Sequence, residues 1–253
     1  GRAYLLPAGP LNGIPLDALR VNGSYFIQSH RVVNLASIRS LERAHGTMPD
    51  DFQHNVFLAG DPMAGQELFQ YSVNSSAEMT AVRDRFVGSG LHMVQGVALK
   101  KDEFLDERFS QAVLLHLSMP GRVDLAFPER SVLRLSGEGS DTDYILSADL
   151  RGFHSLAALA VLSGTSFSGS SQAEFESRIG LVNDLHDAGV KQVLASLWPA
   201  GDEATARFMA DFYHRLLSGD EPANALHESR IALIEAENAI NLNSWAGFQL
   251  FIR

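Results

Sequence analysis

The sequence predicts an α/β protein of three layers, in which a mostly parallel central sheet is covered by helices on both faces. Short apolar runs alternate along the chain with longer segments of helical periodicity, which is the pattern of α/β sheet proteins. The runs at 157–162 and 190–197 are apolar at successive positions, as in central strands that are buried on both faces. A chain of 253 residues with 45% hydrophobic content is long enough to bury one large core.

Strands are predicted where short apolar runs are bounded by turn residues. The segment 131–147 is predicted to form a hairpin around a polar turn, and the last strand is expected at a sheet edge. The predicted strands are 3–7, 25–28, 31–35, 55–59, 91–94, 113–117, 157–163, 190–197 and 247–252.

Helices are predicted from their periodicity and from the residues at their ends. One begins at Asp202, which can cap it, and ends before Gly219, with its apolar residues on one face. Another covers about 177–188 and ends at Gly189, because glycine commonly terminates helices. Further helices are predicted at 76–87, 100–109 and 221–237.

Composition and charge exclude several classes of protein. The 20 Lys and Arg against 30 Asp and Glu give a net charge of −10, which argues against a nucleic-acid partner because such binding neutralises phosphates. The chain has no cysteine, so it has no disulfide, thiolate metal site or cysteine nucleophile. No apolar run approaches the roughly 20 residues that span a membrane, so no membrane contact is expected. The sequence does not open on a basic-then-apolar leader, so either the protein is not secreted or a leader was trimmed away, and a cytoplasmic location is expected.

Four segments in collinear order resemble the CHAT-domain family, whose members are caspase-like domains commonly attached to tetratricopeptide repeats. The segment 5–19 contains L-L-P-A-G-P-L and I-P-L-D-A-L, and 116–121 reads H-L-S-M-P-G where the family has H-x-A-T-H-G. The segment 159–165 reads L-A-V-L-S-G-T where the family has L-V-V-L-S-A-C. The region 189–248 contains S-L-W, D-E-A-T, F-Y and W-A-G-F in the order of the family.

This resemblance implies a caspase-like three-layer sandwich and a single domain over residues 1–253. It also implies that the domain is the C-terminal part of a longer, repeat-containing protein. Caspase-like folds can dimerise through an edge strand, so a homodimer through 247–252 is one alternative that the resemblance leaves open.

The resemblance also implies that the catalytic pair is absent. Active members have a His that activates a Cys, and these two positions correspond to Pro120 and Thr165 here. The glycine that helps to hold the oxyanion is retained as Gly121. We therefore expect a catalytically inactive pseudopeptidase domain that serves in protein or peptide binding, scaffolding or regulation.

The alternative is a peptide hydrolase that uses Thr165 with a non-standard base. His116 lies four residues before position 120, which is about 13 Å along a strand and too far for a hydrogen bond of about 3 Å. We expect His116 to be a buried imidazole bonded to nearby backbone. His154 and His186 remain open as bases that could approach from loops.

A groove at the end of the sheet that carries positions 120 and 165 could hold an extended peptide, because strand addition needs only backbone pairing and side-chain pockets. The candidate peptide-binding residues are Ser163, Gly164, Trp198 and Asp202. Two of them have a structural alternative: Asp202 can simply cap its helix, and Trp198 can pack on the sheet end. A purely structural domain without a ligand groove is the third alternative.

Neither a metal nor a cofactor is expected. Asp141 and Asp143 lie in a predicted hairpin turn and lack the spacing of a calcium loop. The serine- and glycine-rich segment 163–171 follows a buried strand but contains no phosphate-binding motif.

Overall fold

The structure is a computed structural model. It describes residues 1–7, 11, 14–35, 37–43, 46–60, 76–86, 90–122, 131–137, 143–164, 172–198, 202–236 and 241–253.

Within these residues the strands are numbered β1 to β13 and the helices α1 to α8 in chain order. The strands are β1 (Arg2–Leu5), β2 (Arg20–Val21), β3 (Ser24–Tyr25), β4 (Arg31–Leu35), β5 (Val56–Gly60), β6 (Leu91–Gln95), β7 (Leu114–Ser118), β8 (Gly121–Arg122), β9 (Val132–Arg134), β10 (Tyr144–Leu146), β11 (Leu159–Leu162), β12 (Gln192–Ser196) and β13 (Phe248–Ile252). The helices are α1 (Ser76–Arg83), α2 (Lys101–Phe104), α3 (Glu107–Gln111), α4 (Ser147–Arg151), α5 (Gln172–Ala188), α6 (Asp202–Leu217), α7 (Pro222–Ala236) and α8 (Leu242–Trp245).

The central sheet has eight strands in the order β1-β4-β13-β12-β11-β7-β5-β6. Every neighbouring pair is parallel except β12 and β13, which are antiparallel. The strands β12, β11, β7, β5 and β6 therefore run in one direction, and their carboxyl ends share one end of the sheet. The hairpin predicted at 131–147 is present as β9 and β10, and β8 extends it to three strands.

Strand β11 shows why the sheet has helices on both faces. Its four residues are all buried, and they alternate between two apolar clusters. Leu159 and Val161 lie in the cluster that includes residues of α1, α6, α7 and α8, whereas Ala160 and Leu162 lie with residues of α2, α3, α4 and α5. The unbroken apolar run thus has two buried faces, which confirms the predicted three-layer α/β fold with a mostly parallel sheet.

The prediction that the last strand lies at a sheet edge is wrong. Strand β13 is interior, with β12 on one side and β4 on the other, and all five of its residues are buried. Its polar residue Gln249 is buried too, and its Nε2 donates to Asp17 Oδ1 at 3.2 Å. The edges of the sheet are β1 and β6, so a homodimer through 247–252 has no free strand edge on which to form.

Two other predicted elements differ from the structure for local reasons. Residues Phe26–Gln28 form a 3-10 turn rather than a strand, and the Gln28 side chain accepts a hydrogen bond from the Tyr25 N–H at 2.8 Å. The single helix predicted at 100–109 is two short helices, because Asp106 Oδ1 accepts from the Phe109 N–H at 3.1 Å and so starts α3 as its N-cap.

Candidate functional site

The carboxyl ends of β7 and β11 meet in the middle of the sheet. At Gly164 a Cβ atom would lie 2.5 Å from the backbone nitrogen of Met119, so a glycine is required for this close approach. Pro120 and Thr165 each follow this contact by one residue, and Thr165 itself lies outside the described residues. The structure therefore brings together the two segments in which the family resemblance places the catalytic pair.

Pro120 is buried and fixed by its main chain. Its carbonyl accepts a hydrogen bond from the Arg134 N–H at 2.7 Å, and the next residue, Gly121, pairs with Leu133 between β8 and β9. A proline side chain has no atom that accepts a proton, so position 120 offers no base. The role of Gly121 in holding an oxyanion stays a prediction.

A buried polar network lies directly beneath this junction. His116 and Ser118 on β7 both face Glu78 on α1: His116 Nε2 is 3.3 Å from Glu78 Oε1, and Ser118 Oγ donates to Glu78 Oε2 at 2.6 Å. The other imidazole nitrogen, Nδ1, lies 2.8 Å from the hydroxyl oxygen of Tyr213 on α6. An imidazole protonated at Nε2 fits both contacts, since its Nδ1 then accepts from the tyrosine hydroxyl.

The protonation of this network follows from its burial and its partners. Burial alone raises the pKa of the Glu78 carboxyl, but the contact with His116 and the hydroxyls of Ser118 and Ser163 outweigh burial and lower the pKa below its usual value. Burial and the neighbouring Glu78 charge raise the pKa of Tyr213 well above its usual value. The network thus contains an ionised carboxylate and a protonated phenol at neutral pH.

This network is closed to substrates. His116, Ser118 and Tyr213 are fully buried, and Glu78 is 2% exposed. His116 is the buried imidazole that the sequence predicts, although its partners are side chains of α1 and α6 rather than nearby backbone. Its position on β7 is opposite Val161 on β11, three residues before Gly164.

The candidate peptide-binding residues lie at the same end of the sheet. Ser163 and Gly164 follow β11, and the hydroxyl oxygen of Ser163 is buried beside the network rather than exposed to a groove. Trp198 follows β12, is partly exposed, and donates from Nε1 to the Asn243 carbonyl at 3.2 Å. Asp202 is the first residue of α6. Peptide binding by these four residues stays a prediction.

His154 and His186 lie near the amino ends of β11 and β12, whereas Gly164 lies beyond the carboxyl end of β11. His154 precedes β11 by five residues, and His186 Nδ1 donates to the carbonyl of Val190, just before β12, at 2.9 Å. The four residues of β11 alone span about 10 Å. Both imidazoles are therefore remote from the strand-end junction at Gly164.

The acidic hairpin turn shows no ligand set in its described part. Asp141 lies outside the described residues, and Asp143 is buried with its Oδ1 4.0 Å from Lys100 Nζ. Among the residues that the structure describes, no three His, Asp or Glu side chains are grouped to hold a metal ion. None of the described helices has the length and apolar character needed to cross a membrane.

Glu78 has no motif that marks it in the sequence, and it falls within a predicted helix without a role. Tyr213 is matched as part of the family's F-Y motif, but no role is predicted for it. The available signal is positional: Glu78 lies on the same helix face as Val82, four residues later, and Met79 next to it is also buried. A carboxylate on the apolar face of a helix needs a buried partner.

The fold is an α/β domain of the caspase-like kind, and at the positions in which the family resemblance places the catalytic pair this chain has Pro120 and Thr165. Over residues 3–252 the chain matches the CHAT domain family, and it belongs to that family.

The chain is also similar to proteins of known sequence or structure. The chain is 31% identical over 106 residues to human tetratricopeptide repeat protein 28, a match that covers 42% of this chain and 4% of that protein. It is similar in structure to Saccharomyces cerevisiae separase in the separase–securin complex, with a TM-score of 0.60 and 13% identity over 98% of this chain and 15% of that one. It is also similar to the Arg-specific cysteine proteinase gingipain R, with a TM-score of 0.49 and 10% identity over 88% of this chain and 54% of that one.

The chain spans a small part of the length of tetratricopeptide repeat protein 28 and of separase. The likeness to separase, at 13% identity, shows a common fold.

Proposed function

We propose that this CHAT domain is catalytically inactive and acts as a protein- or peptide-binding module with a scaffolding or regulatory role. The proposal rests on one observation: both reacting groups are substituted, although the two segments in which the resemblance places them still meet at the strand ends. Pro120 has no proton-accepting side-chain atom, and the chain contains no cysteine. Nucleophilic catalysis of the caspase type needs both groups within hydrogen-bond reach.

The histidines named as substitutes do not support a hydrolase that uses Thr165. His116 is bonded to Tyr213 and contacts Glu78 in the core, and His154 and His186 lie at the other end of the sheet. A threonine hydroxyl without an adjacent base is a weak nucleophile.

A binding role is supported by the strand ends. Trp198 presents a partly exposed indole at the carboxyl end of β12, and amphipathic aromatic side chains are frequent anchors for peptide partners. The separase structure holds securin, a bound protein, and the match to a tetratricopeptide repeat protein supports attachment to helical repeats in a longer chain.

Catalysis is tested with a fluorogenic peptide library on the purified protein, the Thr165→Ala variant and the matched Thr47→Ala variant. Thr47 is an exposed threonine at the opposite end of the sheet. We expect no turnover above buffer for any of the three proteins. Turnover that disappears in Thr165→Ala but persists in Thr47→Ala would show a threonine hydrolase and end the proposal of inactivity.

Binding is tested with the same library in non-fluorogenic form and with tryptophan emission as the readout. Trp245 is fully buried and Trp198 is partly exposed, so a peptide in the groove changes the emission of Trp198. We expect a saturable change in the wild type. Because Trp198→Phe lacks the reporter, its binding is followed by the anisotropy of a labelled peptide and should be weakened. Absence of saturable binding in both measurements would count against peptide binding and favour a purely structural role.

A further inference from the structure

The hairpin formed by β2 and β3 is closed by a turn of two residues, Asn22 and Gly23. Both have a positive φ, +52° at Asn22 and +87° at Gly23, which is the backbone of the tight hairpin turn that favours an Asn-Gly pair. Among the residues that the structure describes, Asn22 is the one non-glycine residue with a positive φ. The turn is therefore a defined local structure that places an asparagine directly before a glycine.

The two turn residues are open to solvent and make no polar contacts. Both are exposed. The Asn22 side-chain amide has no hydrogen bond to any part of the chain that the structure describes, and the same is true of the Gly23 N–H. A Cβ added at Gly23 would have no atom within 4 Å of it. Within the described residues, then, no contact holds the Asn22 side chain away from the Gly23 nitrogen or shields the pair from water.

The strands on either side hold the turn weakly. Each strand has two residues, and all of these residues except Tyr25 are exposed. A two-stranded hairpin is marginally stable in water, and exposed segments with few buried contacts open locally at little cost in free energy. The turn can therefore reach the conformations that a reaction between its own backbone and side chain requires.

We propose that Asn22 is a site of spontaneous chemical modification, in which its side-chain amide is converted to aspartate and isoaspartate. The backbone nitrogen of Gly23 loses its proton to hydroxide and attacks Asn22 Cγ. The bond from Cγ to the side-chain nitrogen breaks, ammonia leaves, and a cyclic imide (a succinimide) remains. Glycine favours this step because it has no side chain to obstruct the approach of its nitrogen.

Water then opens the cyclic imide at one of its two carbonyl carbons. Attack at Cγ breaks the bond from Cγ to the Gly23 nitrogen and gives aspartate on a normal backbone. Attack at the main-chain carbonyl carbon of Asn22 breaks its bond to the same nitrogen, so the chain continues through Cγ and the product is isoaspartate. The overall reaction consumes one water molecule and releases one ammonia molecule, and nothing is oxidised or reduced.

The isoaspartate product alters the hairpin and its neighbours. Its main chain is longer by one methylene group, so it no longer fits a turn of two residues. Tyr25, the last residue of β3, packs edge-on against Trp245 of α8 with the ring centroids 5.0 Å apart. The same short helix supplies the Asn243 carbonyl to which Trp198 donates. The modification therefore acts on the candidate site through α8, although the reaction itself does not depend on peptide binding at that site.

Peptide mapping isolates the reacting residue. Trypsin cleaves after arginine and lysine, which releases residues 21–31 as one peptide with a single asparagine, Asn22. A second Asn-Gly pair, at 12–13, lies outside the described residues and falls in the separate tryptic peptide 3–20. The mass change at Asn22 can thus be measured without interference from the other pair.

The folded protein is incubated at physiological temperature and slightly alkaline pH, in water enriched in the heavy oxygen isotope, and is digested at intervals. We expect Asn22 to be converted at least about tenfold faster than Asn34 and Asn224. Asn34 is buried and its Nδ2 donates to Gln249 Oε1 at 2.8 Å. Asn224 Oδ1 accepts from Arg31 Nη1 at 3.0 Å, and neither control asparagine is followed by glycine.

The products and the pH dependence identify the reaction. We expect isoaspartate in excess of aspartate, heavy oxygen in both products, and a rate that rises with pH because the attacking nitrogen must lose its proton. In the Trp198→Phe variant Trp245 is the sole tryptophan, so its emission should differ between fresh and converted protein.

Several results would overturn the proposal. These are conversion of Asn22 no faster than that of Asn34, aspartate formed without isoaspartate, or an Asn22 that stays intact in the folded protein while the free peptide 21–31 is converted under the same conditions. The last result would show that the folded turn protects the asparagine. Identical Trp245 emission before and after conversion would overturn the effect on α8.

Discussion

Replacing Glu78 by alanine removes the carboxylate that contacts both His116 and Ser118 inside the core. The Ser118 hydroxyl then lacks a charged acceptor at 2.6 Å, and such a hydrogen bond is worth about 1.5–3 kcal/mol. His116 Nε2, which lies 3.3 Å from the other carboxylate oxygen, loses its polar partner as well. With two buried groups left without their charged partner, we expect Glu78→Ala to lower the free energy of unfolding by about 4 kcal/mol, and the melting temperature by about 10 °C for a domain of this size.

The Glu78→Gln variant tests the contribution of the Glu78 charge to stability, because glutamine has nearly the same shape as glutamate. Glutamine retains an acceptor for Ser118 but has no negative charge, so we expect a loss of about 2 kcal/mol at pH 7. The pKa of Glu78 in the folded protein is lower than its usual value of 4.5. Its contribution to stability is therefore complete above pH 4.5 and is lost as the pH falls through the lowered pKa.

Urea unfolding of the wild type and of Glu78→Gln, measured from about pH 7 to about pH 3, tests this reasoning. The difference in unfolding free energy between the two proteins should shrink as the pH falls below 4.5. A difference that stays constant over this range, or a cost of Glu78→Ala below about 1 kcal/mol, would refute an ionised and bonded Glu78.

Three further substitutions test the strand-end junction, the buried network and the buried Arg230–Asp17 pair by urea unfolding. Gly164→Ala introduces a Cβ 2.5 Å from the backbone nitrogen of Met119 and should lower the free energy of unfolding by at least about 2 kcal/mol. The control is Gly180→Ala, where the added Cβ meets open space and should not destabilise the protein. Arg230→Met leaves the buried Asp17 carboxylate without the guanidinium that donates to it at 2.5 Å. We expect the free energy of unfolding to fall by about 3–5 kcal/mol, and a fall below about 1 kcal/mol would contradict the pairing. Tyr213→Phe removes the hydroxyl beside His116 and should cost about 1–2 kcal/mol, and an unchanged midpoint would show that the hydrogen bond is not formed.

The strands could be predicted where both faces are buried, because an unbroken apolar run such as 159–162, bounded by turn residues, is typical of a central parallel strand. The order of the strands within the sheet could not be predicted from the sequence. Phe248–Ile252 is also largely apolar, but nothing in its sequence indicates that β4 lies next to it in the sheet, so its interior place was missed. Local hydrogen bonds account for the smaller errors, as at Tyr25–Gln28, where a glutamine side chain closes a turn.

The candidate site was predictable only in the part that the motifs describe. The segments around Pro120 and Gly164 could be aligned from the sequence, and the structure places them in contact. The network beneath them joins α1, β7 and α6, which are separated by 40 residues between Glu78 and Ser118 and by 97 between His116 and Tyr213. Contacts over such separations follow from how the elements pack and are not visible in local patterns.

The geometry of the strand ends has a structural cause that is independent of catalysis. Gly164 is required because any Cβ would collide with the backbone after β7, and Glu78 is required because His116 and Ser118 are buried. Both demands would hold in an active and in an inactive member of the fold. A well-formed junction is therefore weak grounds for assigning activity. The positions in which the family resemblance places the catalytic pair carry Pro120 and Thr165, and this substitution, rather than the shape of the junction, is the ground on which we propose inactivity.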